Sequence, residues 1–270
     1  MTKPKHMNQK ITALLLSALT IGAFSARGQT VGVAPTAAPS LSVTVTPSFV
    51  SQYMFRGQRL SGTSFQPVVE ATYGDFGLGV WSNFPIKDKA TGASDPEVDP
   101  YGYYTIKVSD TLSVVPGFTY YTYPNADTGA GFYRSTFEPS IALNYTVAGV
   151  KLTPKVYYDF TLDGPTFEFT AAYAVPLKDL GTELDFAATY GEYLQKDVVR
   201  KGSPQAKAWG KYWSVGVAMP YQITKNSKFV VGFAYAKGED AFFKQGTAPK
   251  AVNSLAMGRG VVSASYAWTF

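Results

Sequence analysis

The 270-residue chain is 46% hydrophobic and only 16% charged, with 25 glycines and a 15% aromatic share dominated by 19 Tyr and 18 Phe, a mixture that suits pleated, half-buried strands. It has no Cys, which excludes disulfides, thiolate metal sites and a lipid-anchored N-terminal Cys. The formal charge of +5 is concentrated at the start: Lys3, Lys5, Lys10 and Arg27 lie in an acid-free stretch of 28 residues, and without them 20 bases face 19 acids, so the basic balance gives no ground for a nucleic-acid partner.

Residues 1–28 have the order of a secretory signal peptide. Three lysines precede an apolar run from Ile11 to Phe24, and small residues follow, with cleavage expected after Ser25 or Gly28. The run is too short to span a bilayer comfortably as a helix. The only histidine, His6, falls in the segment expected to be removed. Residues 29–40 are Ala/Pro-rich and read as a linker; residues 41–270 form one domain.

From Leu41 onward no stretch approaches a transmembrane helix, and the hydrophobic pattern alternates with period two. It predicts twelve strands, near 41–55, 64–74, 77–86, 98–109, 112–123, 132–145, 150–160, 166–176, 181–193, 210–222, 227–237 and 259–270, with ten and fourteen left open. In the sixth, Phe137, Pro139, Ile141 and Leu143 oppose Arg134, Thr136, Glu138, Ser140 and Asn144. In the eleventh, Phe229, Val231, Phe233 and Tyr235 share a face. Short turns at 74–77, 109–111, 147–149, 178–181 and 224–226 alternate with connections that are mostly longer, at 56–63, 87–97, 124–131, 161–165, 194–209 and 238–258. Glycine-rich Gly74–Gly79 lacks the Lys and helix of a phosphate loop and reads as such a turn.

Short turns at one end and longer loops at the other describe an all-β, antiparallel, up-and-down transmembrane barrel, with both termini on the short-turn, periplasmic side. In hydrocarbon every backbone N–H and C=O needs an internal partner, and only a closed sheet leaves no raw edge. Aromatics fall where such a barrel meets the headgroups: Tyr53, Phe55, Phe84, Tyr120, Tyr121, Tyr158, Phe160, Tyr190, Trp213 and Tyr235 near the loops, and Tyr73, Phe76, Tyr145, Tyr173, Tyr221 and Trp268 near the turns. Pro47, Pro67, Pro116, Pro139 and Pro154 interrupt this pattern and mark bulges or misplaced strand ends.

The polar phase carries charges of both signs: Arg56, Glu70, Asp99, Lys107, Arg134, Glu138, Lys151, Lys155, Asp159, Glu168, Glu183 and Asp185. Facing lipid they would be costly, so they are expected to face the lumen. There they either filter solutes through a wet pore or pair across a plugged interior. Asp95-Pro-Glu97 with Asp99 reads as solvated loop acids rather than a cation site. In the last strand Val262, Ala264, Tyr266, Trp268 and Phe270 share a face; Tyr266, Trp268 and Phe270 resemble the C-terminal signal recognised by the barrel-assembly machinery. The absence of His after cleavage argues against a His-dependent hydrolase, a carboxylate-only mechanism stays open but no paired-acid motif stands out, and neither an enzyme activity nor a cofactor is expected.

Ser51-Gln52-Tyr53-Met54-Phe55-Arg56-Gly57-Gln58, Phe65-Gln66-Pro67 and Gly79-Val80-Trp81-Ser82-Asn83 together resemble the TorF-type porin family of bacterial outer-membrane proteins, whose first strand carries a Ser-x-Tyr-x-x-Arg-Gly pattern. The resemblance implies a pore and names no substrate. Arg56 is either a cation at the pore mouth or a structural arginine paired with an inner acid such as Glu70. The expected function is passive diffusion of small hydrophilic solutes across the outer membrane. The alternatives are a non-conducting barrel acting as a scaffold or adhesion platform through loops 196–209 and 237–259, and a soluble secreted β-sandwich. Outer-membrane lipid and the assembly machinery are the expected partners; oligomeric state stays open.

Overall fold

The computed structural model describes residues 40–89, 96–126, 128, 133–196, 207–238 and 258–270. The expected signal peptide and nearly all of the linker lie outside the described residues, as does most of the loops at 196–209 and 237–259. The described chain is a closed antiparallel barrel of twelve staves. β1 is Leu41–Thr46 continued by Ser48–Val50, and β2 is Ser64–Phe65 continued by Val68–Tyr73. β3 is Phe76–Pro85, β4 is Glu97–Tyr104 followed by Ile106–Lys107, β5 is Leu112–Thr122 and β6 is Ser135–Val147. β7 is Val150–Asp159, β8 is Gly164–Leu177 and β9 is Thr182–Lys196. β10 is Lys207–Thr224, β11 is Ser227–Gly238 and β12 is Arg259–Thr269.

Each stave pairs with its sequence neighbours, and β12 closes on β1 through Thr44↔Thr269, Val45↔Trp268 and Phe49↔Ala264. The Phe270 N–H donates to the Val43 carbonyl at 2.8 Å, which finishes the seam at the last residue. Both termini of the barrel lie at the short-turn end. No stave has a free edge, so backbone polarity is satisfied without water.

The side chains follow the pleat. On β6, Phe137, Ile141 and Leu143 are exposed while Thr136, Glu138 and Ala142 are buried; on β12, Val262, Tyr266 and Trp268 are exposed while Val261, Ser263 and Ser265 are buried. The barrel is thus apolar outside and polar inside, the reverse of a water-soluble domain. An apolar girdle of this extent is far larger than the patches water-soluble monomers expose, and it suits an acyl-chain surrounding.

The five prolines singled out in the sequence sit beside ladder breaks or ladder ends, whereas Pro100, Pro176 and Pro220 lie within continuous pairing. Pro47 splits β1 and Pro67 splits β2; their carbonyls still accept, from Tyr266 N–H at 3.1 Å and Ser82 N–H at 3.0 Å. Pro116 lies opposite the break between the two stretches of β4. Pro154 falls in the gap between the Ala142↔Lys155 and Tyr145↔Leu152 pairs, and Pro139 lies just before the β6–β7 ladder begins at Ser140↔Tyr157. A residue without an N–H is tolerated where no ladder donor is required.

One expected element differs. Residues 53–55 do not extend the first wall strand, and 56–63 is not a simple outer loop. The chain leaves the wall after Val50 and forms a separate two-stranded hairpin, Tyr53–Phe55 with Gln58–Ser61. Its two-residue turn is Arg56-Gly57, with φ of 45° and 76°. Positive φ at both central positions is the twist that a tight hairpin favours. The hairpin folds into the barrel near its long-loop end.

Candidate functional site: the barrel interior and its inner hairpin

Each residue of the Ser-x-Tyr-x-x-Arg-Gly pattern seats this hairpin. Ser51 marks the departure from the wall: its N–H donates to Val262 O at 2.8 Å and its Oγ accepts from Val262 N–H at 2.9 Å. Gln52 donates to the Gly260 carbonyl at 2.9 Å. Tyr53 packs on Trp81 of β3, with centroids 5.5 Å apart, and its hydroxyl donates to Glu97 of β4 at 3.0 Å. Phe55 meets Tyr121 of β5 edge-on at 5.8 Å. Arg56 reaches Glu138 of β6 at 2.8 Å, and its guanidinium lies 5.0 Å from the Tyr157 ring of β7. A Cβ built on Gly57 would lie 2.4 Å from the Gly238 nitrogen, so the tip touches the β11 backbone directly and only glycine fits. On the return, Gln58 donates to the Tyr193 hydroxyl of β9 at 3.2 Å. Segment 51–63 therefore contacts at least nine of the twelve staves, β2 to β7, β9, β11 and β12.

The other two sequence patches build the seat. Gln66 donates to Asn83 at 2.9 Å, tying β2 to β3 beside Trp81. The N–H of Gly62 reaches the carbonyls of Lys87 and Asp88, both at 3.0 Å, which anchors the return leg to the loop after β3.

Four inner glutamates share one arrangement: each accepts from tyrosine hydroxyls. Glu70 takes Tyr101 at 2.9 Å and Tyr103 at 3.4 Å, Glu97 takes Tyr53, Glu138 takes Tyr121 at 3.1 Å, and Glu168 takes Tyr157 at 3.0 Å together with Tyr212. Glycines on neighbouring staves let these rings lie against the wall. A Cβ on Gly79 would lie 2.4 Å from the Tyr101 hydroxyl, and one on Gly191 would lie 2.3 Å from the Tyr212 ring. Hydrogen bonds to an ionised carboxylate are the strong kind, so the inner charges are fixed in place rather than mobile.

Of the twelve charges assigned to the inner phase, Arg56, Glu70, Asp99, Glu138, Asp159 and Asp185 are buried inside, and Lys151, Lys155, Glu168 and Glu183 are half-buried on the same phase. Two are not lumenal. Lys107 lies at the short-turn rim, 61% exposed and paired with Asp75 at 2.6 Å. Arg134 is exposed at the long-loop rim just before β6. Lys107 closes β4 and Arg134 precedes β6, so each sits at a rim rather than in the interior. Arg56 pairs with Glu138, across the barrel, and not with Glu70. Glu97 is not a solvated loop acid; it opens β4 and points inward. Tyr53 and Tyr121 are buried and Phe55 packs edge-on against Tyr121 inside the barrel, so these three do not belong to the outer girdle. Among the described residues no group of three or more His, Cys, Asp or Glu is arranged to hold a metal.

A closed sheet, greasy outside and charged inside, with a hairpin turned into its mouth, defines a transmembrane-type β-barrel. Its backbone is similar to the NanC porin, with a TM-score of 0.51 at 12% identity over 84% of this chain and 98% of that one. The KdgM porin gives a TM-score of 0.49 at 12% identity, covering 85% and 99%. No curated protein matches the sequence. Residues 34–258 match the family described as "Bacterial protein of unknown function (Gcw_chp)", and the chain belongs to that family.

Proposed function

We propose that this protein is an outer-membrane channel for passive diffusion of small hydrophilic solutes, exported by a cleaved signal peptide at residues 1–28. The observation that carries this reading is a closed wall whose outer face is apolar and whose inner face holds nearly all of its buried polar and charged side chains. Side chains fill an eight-stranded barrel and leave a sixteen-stranded one open; twelve staves leave interior to spare. The inner charges then act as the filter, and the inner hairpin as the constriction. Asp185 is consistent with this: it is buried on the inner wall and neither carboxylate oxygen accepts a hydrogen bond from a described protein group. The resemblance to TorF-type porins points the same way, and Tyr266, Trp268 and Phe270 are the residues proposed to be read by the assembly machinery.

A second reading has one observation in its favour. The hairpin is packed so closely that Tyr53, Met54, Arg56, Trp81 and Tyr193 are all nearly inaccessible, which suits a barrel held shut and used as a scaffold through its loops. Planar-bilayer recording of the refolded protein decides between them. Unitary conductance in the wild type, enlarged when residues 52–62 are replaced by a short turn, supports the channel. Silence in both supports the scaffold.

A further inference from the structure

The Arg56 guanidinium sits in a cage that the barrel wall supplies. It is paired with Glu138 at 2.8 Å and lies 5.0 Å from the Tyr157 ring, with its own neighbour Phe55 at 4.8 Å. Tyr121 donates to the same Glu138 oxygen, fixing that carboxylate. Beside it Glu168 is held by Tyr157 and Tyr212. An aromatic face next to an oriented carboxylate is the arrangement that recognises guanidinium and alkylammonium groups.

The occupant fits this cage imperfectly. Arg56 is a non-glycine residue at φ 45°, a conformation that side chains disfavour. Its Nε–H has no acceptor and Glu138 Oε2 has no donor. The wall half of the cage also has contacts of its own: its carboxylates accept from Tyr121, Tyr157 and Tyr212 of the wall. The Lys155 ammonium also packs on the Tyr157 ring, 4.3 Å from its centroid.

We infer that this cage is a subsite for the cationic head of a solute, a guanidinium or alkylammonium group, and that Arg56 is its tethered competitor. This rests on the channel reading for how the solute arrives, while binding itself does not. The variant Arg56→Gly tests it, because glycine accepts the positive φ and keeps the turn while emptying the cage. The probe is ethylguanidinium chloride at millimolar concentration against equal sodium chloride. In detergent, a saturable rise in the heat-unfolding midpoint is expected for Arg56→Gly, none for wild type and none for Arg56→Gly with Glu138→Gln. In bilayers, ethylguanidinium is expected to block the Arg56→Gly current at concentrations about ten-fold or more below those needed for wild type. Equal midpoint shifts in wild type and Arg56→Gly, a shift that survives Glu138→Gln, or no shift in Arg56→Gly would overturn the inference. A barrel that conducts in no variant yet shows the Glu138-dependent shift retires the channel and keeps the cage. A conducting barrel indifferent to the probe retires the cage and keeps the channel.

Discussion

Replacing Glu138 by alanine should release the hairpin, and the size of the effect follows from the site. Arg56 and Glu138 are 2% and 0% exposed and 2.8 Å apart. Removing one member of such a buried pair costs about 3–5 kcal/mol, because the other charge is left without a partner and without water. Tyr121 also loses its acceptor, but that bond joins wall to wall and is lost whether the hairpin is in or out, so it cancels. The strain at φ 45° is likewise present in both proteins. The whole 3–5 kcal/mol therefore falls on hairpin docking, and at about 1.4 kcal/mol per decade the released population grows by roughly two to three and a half decades. Arg56 provides the assay, since the Arg56–Gly57 bond is a trypsin site that is inaccessible when the hairpin is docked. Where reclosing is fast, cleavage follows the open population, so the initial rate on the intact barrel should rise by about the same factor. Glu70→Gln, which alters an inner acid held only by Tyr101 and Tyr103, should leave the rate within about three-fold. A Glu138→Ala rate within about ten-fold of wild type would refute the claim that this pair holds the hairpin in place.

Gly57→Val should also release the hairpin: its Cβ would meet the β11 backbone at 2.4 Å, and a β-branched residue is an outlier at φ 76°; larger unitary currents with an unchanged barrel melting temperature are expected. Lys107→Ala should do almost nothing, since the pair with Asp75 is 61% and 40% exposed and such pairs contribute about 0–1 kcal/mol; a loss of melting temperature beyond a few degrees would show that the turn matters more than this. Deleting Phe270 removes a backbone donor to Val43 at 2.8 Å and the last residue of the outer aromatic face; the amount of heat-modifiable barrel recovered from membranes should fall, while the protein that does insert should conduct as wild type.

The wall was legible because lipid on one side and polar groups on the other impose period two on every stave, and Glu138, Glu168 or Asp185 can be placed by phase alone. The ends of staves were less legible. Lys107 and Arg134 keep the inner phase but lie past the interior, and phase carries no information on depth. The hairpin was hidden for a different reason. Tyr53-Met54-Phe55 continues the apolar character of β1, so it reads as three more strand residues ending in a girdle. The available signal was that all three residues in a row are large and apolar: a wall stave has a polar face, and a strand with none is buried on both sides. Arg56-Gly57 after it was the turn. Tyr121, adjacent to girdle residue Tyr120, shows the same limit, because only its phase and not its type separates the lumen from the headgroups.

The twelve-stave wall explains why a hairpin belongs inside it. With staves about 4.8 Å apart and tilted by about 40°, twelve of them close at a backbone radius of roughly 12 Å. Inward side chains of tyrosine size reach about half that distance, which leaves a gap of roughly 10 Å, close to the width of a two-stranded ribbon. Such a gap fills with water or with backbone, and backbone can enter only if its polar groups and close contacts are provided for. Ser51, Gln52, Tyr53, Arg56 and Gly57 each provide one, against β12, β4, β6 and β11. Among the described residues no such segment enters at the short-turn end, where Glu183, Asp185 and Lys151 line the wall. The described interior is therefore asymmetric along its axis, and in the proposed channel discrimination between solutes should be set where the hairpin narrows it.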